Sequence, residues 1–414
     1  DYNKLPISCC YFFEDGTKVS LPSGSDAVAE VLSNELGENR SKVLKFLERL
    51  EKNYNAVYPV FIKVSLHRVG HWLNSNIFKA IKRLPFYGLF STMNGVNTST
   101  FNNKKTVQIF NRFATYNGSD PYKSPGMFNI IAHLELNVGP FMPKGGMVAI
   151  SDAVYKKAVE MGVDFHFNTR VEEIMHEKGR VTGIKHKRGI LNCDLVTSNM
   201  DVHFTYEKLL PAFTGPSKVL SQEKSTSAIV FYWGIKKSFD ALDVHNIFFS
   251  ETYEDEFNQL FVKKTLIDDP TVYIHISSKV EKEDAPSGCE NWFVMINAPV
   301  DDGQDWEVQK KRVRASILKK LGRILNQDIE PLIEEEENLD PVMMQRMYSG
   351  KNGSIYGNAS NSTMASFYRH PNFSSSLKGL YFAGVTVHPG GGIPLALNSA
   401  AIVQRCVQND FSIR

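Results

Sequence analysis

The pattern of apolar and polar positions predicts a hairpin and then two helices at the start of the chain. Residues 11–22 read as two strands joined at Asp15-Gly16, a dipeptide typical of tight turns. Ser25 can cap the helix that follows, because its side-chain oxygen can accept from a free backbone amide. The apolar residues at helical spacing in this helix, and in a second one from about Ser41, are Val28, Val31, Leu32 and Leu36, then Val43, Phe46, Leu47, Leu50 and Tyr54.

The pattern changes near the middle of the chain to an alternation of helix and strand. A helix beginning near Met147 carries Ile150, Val154, Ala158 and Met161. Strands are predicted after it at 163–168, in a hairpin that turns at Lys178-Gly179, and at 194–198. This order is typical of the later part of a dinucleotide-binding α/β domain.

A different pattern follows. Aromatic and β-branched runs predict a mostly antiparallel sheet at 229–233, 272–276 and 292–296. A helix over 304–325 is predicted to place Val308, Val313, Ile317 and Leu321 on one side. The four glutamates at 334–337 are expected to form a solvated acidic stretch without a site.

The last fifty residues return to strand, turn and helix. The α/β patterns at 147–200 and 375–414 are therefore assigned to one discontinuous domain, separated by about 175 residues of different character. The predicted fold class is α/β with an α+β insertion.

Composition places the chain among globular proteins. Its 414 residues are 42% hydrophobic and 22% charged, which is ordinary for a folded chain of more than one domain. No run of 18 apolar residues occurs, so no spanning helix is expected. The net charge of +2 is too small for a typical nucleic-acid binder, so no such partner is expected. The five scattered cysteines contain no CxxC pair; they favour a reducing compartment, the cytoplasm, and no metal site is expected.

Acidic residues are missing from one long window. Residues 52–119 contain none, although 45 acids in 414 residues would give about seven there. The window holds nine bases and many large apolar side chains, among them Trp72, Ile77, Phe78 and Ile81. Bases mixed with apolar groups are typical of monotopic membrane contact. We expect peripheral binding at the inner face of the cell membrane; the alternative is a core helix with a solvated basic face.

The segment with the most chemistry lies near the carboxyl end. Residues 379–384 read as a strand, 388–394 as a glycine-rich turn and 395–403 as a helix. Such a corner can bind an anion or a flat ligand, because glycine lets backbone amides approach without an intervening Cβ. Pro394 suits the first helical turn, where its missing donor costs nothing. A purely structural glycine-rich turn is the alternative.

This segment resembles the flavin-binding signature of the phytoene-desaturase-type carotenoid desaturases, which are FAD enzymes of the amine-oxidase-like flavoprotein group. The resemblance implies that the corner lies against the isoalloxazine ring and that the helix N-terminus approaches the flavin. Val385-Thr386-Val387 departs mildly from the family pattern. The matching positions are Gly384, His388, Pro389, Gly390, Gly391, Gly392, Ile393 and Pro394.

Further blocks extend the resemblance over nearly the whole chain. Lys144, Gly145 and Gly146 look like the family's glycine-rich start of a helix beside the flavin. Residues 111–125 look like a block of the 1-hydroxycarotenoid 3,4-desaturase branch, and Val171 matches a position whose backbone contacts the adenine.

The resemblance also implies a division into domains. A discontinuous FAD-binding, Rossmann-like domain would comprise 141–200 and 371–414. A substrate domain with an antiparallel sheet and helices would comprise 1–140, which includes the membrane contact, and 201–370. The family's strand–GxGxxG–helix unit, which binds the FAD pyrophosphate, does not occur in the sequence. We expect the natural protein to carry it ahead of Asp1, and expect poor FAD retention without it.

Few residues stand out as catalytic. His67, His71 and His133 are candidates, and His133 and Glu135 are predicted on a strand that could face the substrate. For each histidine, a buried and hydrogen-bonded structural role is the alternative. Arg112 could place a polar end of the substrate or form a structural ion pair.

The resemblance implies a desaturase of C40 polyenes, with phytoene or a 1-hydroxycarotenoid as substrate. One carbon would lose a hydride to FAD and its neighbour a proton, which creates a conjugated double bond. A strong base is not required, because a delocalised polyene cation makes the neighbouring proton acidic. The alternatives are another amine-oxidase-like flavoenzyme, such as an amine oxidase or a retinoid or prenyl saturase, and a catalytically silent lipid-binding chain.

Overall fold

The computed structural model describes residues 1–68, 70, 75–365 and 368–412. Its strands are β1 (Tyr2–Lys4), β2 (Ile7–Phe12), β3 (Lys18–Pro22), β4 (Phe141–Pro143), β5 (Val171–Glu177), β6 (Arg180–His186), β7 (Gly189–Asn192), β8 (Val196–Ser198), β9 (Ser227–Ile235), β10 (His245–Phe248), β11 (Val272–His275), β12 (Glu290–Ala298), β13 (Ile333–Leu339) and β14 (Leu380–Phe382). Its α-helices are α1 (Ser25–Leu36), α2 (Arg40–Val57), α3 (Ser75–Lys82), α4 (Met93–Thr100), α5 (Lys104–Asn111), α6 (Val148–Glu160), α7 (Val202–Phe204), α8 (Ser217–Leu220), α9 (Tyr253–Asn258), α10 (Trp306–Ile324), α11 (Pro341–Tyr348) and α12 (Ile393–Asp410).

Short 3₁₀ and π turns connect many of these elements. The two that matter most for function are the 3₁₀ turn Arg112–Asn117 and the π turn His133–Val138. Among the described residues, no helix is long and apolar enough to cross a bilayer.

A seven-stranded sheet organises the larger part of the molecule. Its order is β13-β9-β12-β11-β10-β2-β3, and its strands pair antiparallel except for the parallel pair β10 and β2. In β12 every second residue is buried, as expected for a strand whose side chains alternate between two faces. The antiparallel sheet that the sequence predicts is confirmed, and so is the hairpin at Asp15-Gly16.

Each face of this sheet packs against helices. On one face, Trp233 and Trp292 join a buried cluster with Val313, Ile317 and Leu321 of α10. On the other face, β2 and β10 contribute to a second cluster with α1, α2 and α5. Val308 is more than half exposed, contrary to the prediction. It lies five residues before Val313, and at 3.6 residues per turn this rotates it well away from the buried side.

Among the described residues, three small sheets lie outside the large one, and in one of them β1 pairs antiparallel with β4. β5, β6 and β7 form an antiparallel sheet, and β8 pairs parallel with β14. The predicted hairpin at Lys178-Gly179 is confirmed by the pairing of β5 with β6. The ends of β8 and β14 lie side by side, and in α/β proteins ligands bind beyond the carboxyl ends of such strands.

The predicted strand at 163–168 does not form. The apolar residues of this segment, Val163, Phe165 and Phe167, are 50%, 40% and 66% exposed, and no described strand pairs with them. Phe165 and Phe167 instead contact Tyr155 of α6. A strand needs a ladder partner as well as a pattern, and the local pattern alone does not supply one.

Other predictions also need correction. Residues 334–337 lie within β13, an edge strand that pairs with β9, and three of the four glutamates are exposed as expected. Charged residues are common on edge strands because they discourage pairing with another chain. Gly24, not Ser25, is the N-cap of α1.

The packing of β9 predicts that mutations of two adjacent residues differ greatly in their effect on stability. Trp233 is buried in the α10 cluster, whereas Tyr232 is 43% exposed on the opposite face. Trp233→Ala should lower the free energy of unfolding by about 3–5 kcal/mol, and Tyr232→Ala by about 1 kcal/mol or less. Urea denaturation of both variants measures this. Equal losses of unfolding free energy in the two variants would contradict the placement of Trp233 and Tyr232 on opposite faces of β9.

Candidate active site

The glycine corner, residues 384–394, connects β14 to α12. Gly384 has φ +121° and donates its N–H to Ser399. Gly392 is the N-cap of α12, with φ +97° and no side-chain cap hydrogen bond, and Pro394 lies in the first turn as predicted. Ile393 is exposed beside it. The corner therefore presents an uncapped, accessible helix N-terminus, whose amides and dipole favour a negatively charged group.

Gly390 and Gly391 are required for a reason that the sequence did not reveal. Both are buried. A Cβ on Gly390 would lie 3.1 Å from Nε of Arg369, and a Cβ on Gly391 would lie 2.5 Å from the Tyr356 ring. These glycines thus make room for side chains of the protein itself. Gly392 differs, because its Cβ would meet only Pro394, at 4.0 Å, without a clash, so its positive φ is what requires glycine.

The segment 369–372 supports the corner through hydrogen bonds. The amide of His388 donates to the His370 carbonyl at 2.9 Å, and Nδ2 of Asn372 donates to the His388 carbonyl at 2.7 Å. Arg369, Asn372 and Tyr356 are absent from the sequence-based candidates. The signal that could have identified this segment is Arg-His-Pro-Asn, polar residues placed shortly before the strand that leads to the corner.

Arg369 is 4% exposed and donates to three backbone carbonyls, those of Tyr356, Val385 and Asn358. Burial lowers the pKa of its guanidinium to about 10, so the group stays charged at neutral pH. Within the described part of the chain, no carboxylate lies within ion-pair distance of it. The corner therefore rests on a buried positive charge.

His388 is buried and neutral. Its Nε2 lies 2.9 Å from the Val64 carbonyl, so this nitrogen carries the proton and donates; Nδ1 is buried without a hydrogen-bond partner among the described residues. Burial lowers the pKa of His388 to about 4. His67 is near, with its ring centroid 6.0 Å from that of His388. The candidate His71 and the apolar Trp72 lie outside the described residues.

A second polar group, the Arg112 cluster, consists of Arg112, Glu135, Tyr11 and Tyr116. Nη2 of Arg112 lies 2.6 Å from Oε1 of Glu135 and 2.9 Å from the Tyr11 hydroxyl. Tyr116 donates its hydroxyl to Oε2 of Glu135. Burial and the Glu135 charge raise the pKa of Tyr116, so its hydroxyl stays protonated. The predicted structural ion pair of Arg112 is confirmed, and Glu135, expected on a strand, lies on a π turn.

Further polar side chains lie near this cluster on the large sheet. Nδ1 of His245 is 2.8 Å from the Tyr273 hydroxyl, and the rings of His245 and His275 are 5.1 Å apart. Burial, with His275 and Arg112 nearby, lowers the pKa of His245 to about 3, so His245 is neutral. Tyr116 is 41% exposed. The cluster thus combines a buried ion pair with a tyrosine whose side chain is partly exposed and whose hydroxyl is bonded to Glu135.

His133 lies outside the Arg112 cluster. Its Nδ1 is 2.9 Å from Nδ2 of Asn137, and its ring centroid is 5.2 Å from that of Tyr54. Burial lowers its pKa. The buried, hydrogen-bonded role that was the alternative describes this residue.

Tyr356 links the corner to the Arg112 cluster. Gly118 ends the turn Arg112–Asn117, and a Cβ there would lie 2.9 Å from the Tyr356 ring. The same ring faces Gly391. One aromatic side chain therefore contacts both the corner and the residue that ends the turn carrying Arg112 and Tyr116.

The other predicted cofactor contacts lie on separate elements. Lys144, Gly145 and Gly146 form the turn between β4 and α6, where the amide of Gly145 donates to Glu281 at 3.3 Å. Val171 is the first residue of β5 and pairs with His186. The hydrogen bonds of the described residues do not connect these positions to the glycine corner, so their role stays a prediction.

The chain was compared with known proteins. The family model of flavin containing amine oxidoreductases matches residues 96–407. The chain is 44% identical over 409 residues to a 1-hydroxycarotenoid 3,4-desaturase of Flavobacterium sp. (strain P99-3), covering 99% of this chain and 84% of that protein. It is 30% identical over 408 residues to a 4,4'-diapolycopene oxygenase of Methylomonas sp, covering 97% and 81%. It is 27% identical over 416 residues to a phytoene desaturase of Phycomyces blakesleeanus, covering 97% and 71%.

Solved structures share the fold. Cyclohexylamine oxidase from Brevibacterium oxydans IH-35A matches with a TM-score of 0.58 at 13% identity, over 100% of this chain and 83% of that one. An oxidoreductase from Methanosarcina mazei matches with a TM-score of 0.53 at 17% identity, over 77% and 68%. At these identities the likeness concerns the fold alone.

The buried histidines at the corner predict a loss of stability in acid. Burial lowers the pKa values of His370 and His388 to about 4, from an ordinary value of about 6.5. Between these values the unfolded chain binds more protons, so stability should fall as the pH decreases from 6.5 to 4, by up to about 1.4 kcal/mol per pH unit for each histidine. His388→Gln should reduce this slope, whereas the exposed His166→Gln should not. Urea denaturation between pH 7 and pH 5 measures both; parallel curves for His388→Gln and the parent protein would contradict the expectation.

Proposed function

Because the chain belongs to the family of flavin containing amine oxidoreductases, we propose that it is an FAD-dependent carotenoid desaturase. The observation that carries the proposal is the 44% identity, over nearly the whole chain, to a 1-hydroxycarotenoid 3,4-desaturase. The family resemblance read from the glycine corner is confirmed by the family match. A phytoene desaturase is a more distant relative, and a 1-hydroxylated carotenoid is therefore the preferred substrate.

The residues of the corner suit a flavin. The uncapped N-terminus of α12 and the buried Arg369 both place positive potential at a surface where Gly392 leaves open space. When bound, FAD accepts the hydride that leaves the substrate. The proposed contacts of the isoalloxazine are Gly384 and 388–394, with Lys144, Gly145, Gly146 and Val171 as further contacts.

The chain's own residues bind and orient the polyene. His388 and His245 are neutral, and they could hold a proton only at low pH. This agrees with a reaction in which the substrate cation releases its proton without a strong base. The proposed work of the protein is to hold the reacting carbons near the corner and to exclude water.

The Arg112 cluster is the proposed contact for the hydroxyl end of the substrate. Tyr116 is accessible and its hydroxyl is aligned by Glu135. A site that hydrogen-bonds a substrate hydroxyl discriminates strongly against the analogue that lacks it. The turn that carries Arg112 and Tyr116 lies close to the corner, because Tyr356 packs against both Gly118 and Gly391, and one long substrate is proposed to contact both regions.

The division into an FAD-binding and a substrate domain stays part of the proposal. α6 has no buried residue, and Val154, Val159 and Phe167 are among the exposed apolar side chains around it. This face suits the proposed GxGxxG unit, which would cover it and bind the FAD pyrophosphate.

The experiment is an assay of the full-length protein for flavin absorbance and for desaturation of hydroxylated and non-hydroxylated carotenes. Tyr116→Phe should lower kcat/KM for the hydroxylated substrate about tenfold, the effect of losing about 1.4 kcal/mol of hydrogen bonding. It should leave the non-hydroxylated substrate unaffected. Tyr155→Phe, which removes a hydroxyl on α6, is the matched control.

Two outcomes would contradict the proposal at different levels. Protein that is folded but has neither bound flavin nor activity on any carotene would favour the silent lipid-binding alternative. If the protein desaturates both substrates and Tyr116→Phe lowers both activities equally, the protein is still a desaturase, but the proposed role of the cluster is wrong.

A membrane contact is proposed for the segment 78–90, on independent grounds. Exposed apolar side chains are concentrated there, and Lys79 and Lys82 are exposed beside them. Arg83 differs, because it donates to Oδ1 of Asn53 at 2.8 Å and is thus partly structural. The exposed apolar residues are Phe78, Ile81, Leu84, Phe86 and Phe90. Apolar groups flanked by bases suit an anionic lipid surface, from which an insoluble polyene can be taken.

The membrane contact predicts salt-sensitive binding to anionic vesicles. Each base near such a surface contributes about 1 kcal/mol, so Lys79→Glu with Lys82→Glu should weaken binding at least about thirtyfold. Lys187→Glu with Arg188→Glu reverses two exposed charges elsewhere and should have little effect. Co-sedimentation at low and high salt measures this; equal losses in both double variants would reject the patch.

A further inference from the structure

We propose that Arg369 favours the reduced form of the bound flavin by supplying an uncompensated positive charge beneath the glycine corner. This inference rests on the proposed function, since it requires a flavin at the corner. It assigns to Arg369 an electrostatic effect on the cofactor rather than a contact with substrate. The residue belongs to none of the motifs that identified the family.

Burial without a counter-ion sets Arg369 apart. The buried bases in the described part of the chain are Arg112, Lys320 and Arg369, which are 5%, 2% and 4% exposed. Arg112 lies 2.6 Å from Glu135, and Lys320 lies 2.8 Å from Asp269. Arg369 has only neutral carbonyls as partners. A buried charge is costly unless a counter-charge or metal accompanies it, so this position suits a partner that is negative during turnover.

The guanidinium lies next to the glycine corner, so its partner is the group that the corner binds. Its Nε would lie 3.1 Å from a Cβ on Gly390, so the charge lies directly under the corner. The N-terminus of α12, which begins two residues after Gly391, adds positive potential at the corner. Both sources act on whatever the corner binds, and in a buried setting such charges act with little screening.

A flavin is the group whose charge changes there. Two-electron reduction adds negative charge to the ring system, and positive charge near the ring is one way in which proteins tune flavin electronics. A fixed cation stabilises the more negative form and therefore raises the reduction potential. The effect favours removal of hydride from a hydrocarbon, which is a weak donor. The carbonyl hydrogen bonds of Arg369 hold the charge in place, because the planar guanidinium can donate to several acceptors at once.

The experiment measures the flavin reduction potential of the full-length holoenzyme and of three variants. Arg369→Gln removes the charge and should lower the potential by at least about 30 mV, which corresponds to a tenfold loss of preference for reduced over oxidised flavin. Arg369→Lys keeps the charge and should restore most of the potential. Arg405→Gln removes a charge from the distant part of α12 and should leave the potential unchanged.

Stability measurements distinguish this effect from a structural one. If Arg369→Gln loses stability but retains the parent potential, the inference is wrong and Arg369 only supports the backbone. If Arg369→Gln does not fold, the parent protein alone tests the inference. Its flavin reduction potential should exceed that of free FAD by at least about 30 mV. A potential equal to or below that of free FAD would overturn the inference. A parent protein that binds no flavin would instead refute the proposed function.

Discussion

The packing of two buried glycines against Tyr356 and Arg369 is the constraint on which the candidate site depends. Gly390 and Gly391 leave no room for a Cβ, because the guanidinium and the phenol ring occupy that space. The segment 369–372 then fixes the corner through hydrogen bonds from His388 to the His370 carbonyl and from Asn372 to the His388 carbonyl. The conformation that presents the N-terminus of α12 is thus held from the protein side, before any ligand binds.

The rest of the site follows from this arrangement. Because Tyr356 packs against both Gly391 of the corner and Gly118, the corner lies close to the turn that carries Arg112 and Tyr116. The corner carries an uncompensated charge and a helix N-terminus, and the Arg112 cluster carries an ion pair and the hydroxyl of a partly exposed tyrosine. A long apolar substrate with one polar end matches this arrangement, and a cofactor that gains negative charge matches the corner. The large sheet and its helices provide the rigid support.

The local sequence pattern was sufficient to predict strands and turns that are specified by their own residues. The runs in β9 and β12 predicted the large antiparallel sheet, and Lys178-Gly179 predicted the hairpin of β5 and β6 in a separate small sheet. Pattern failed at 163–168, where a strand requires a neighbour that periodicity cannot show. It did not show that Gly390 and Gly391 also make room for Arg369 and Tyr356, and it missed Arg369. Their roles depend on contacts between segments distant in sequence, such as Tyr356 against Gly118, and a single sequence does not contain that information.

Hydrogen–deuterium exchange of the full-length protein with and without FAD tests the central claim most directly. If the flavin lies against the glycine corner, the amides of residues 384–396 should be protected by FAD, and those of the exposed hairpin between β6 and β7 should not change. Protection confined to other segments, with the corner exchanging at the same rate in both states, would contradict the account.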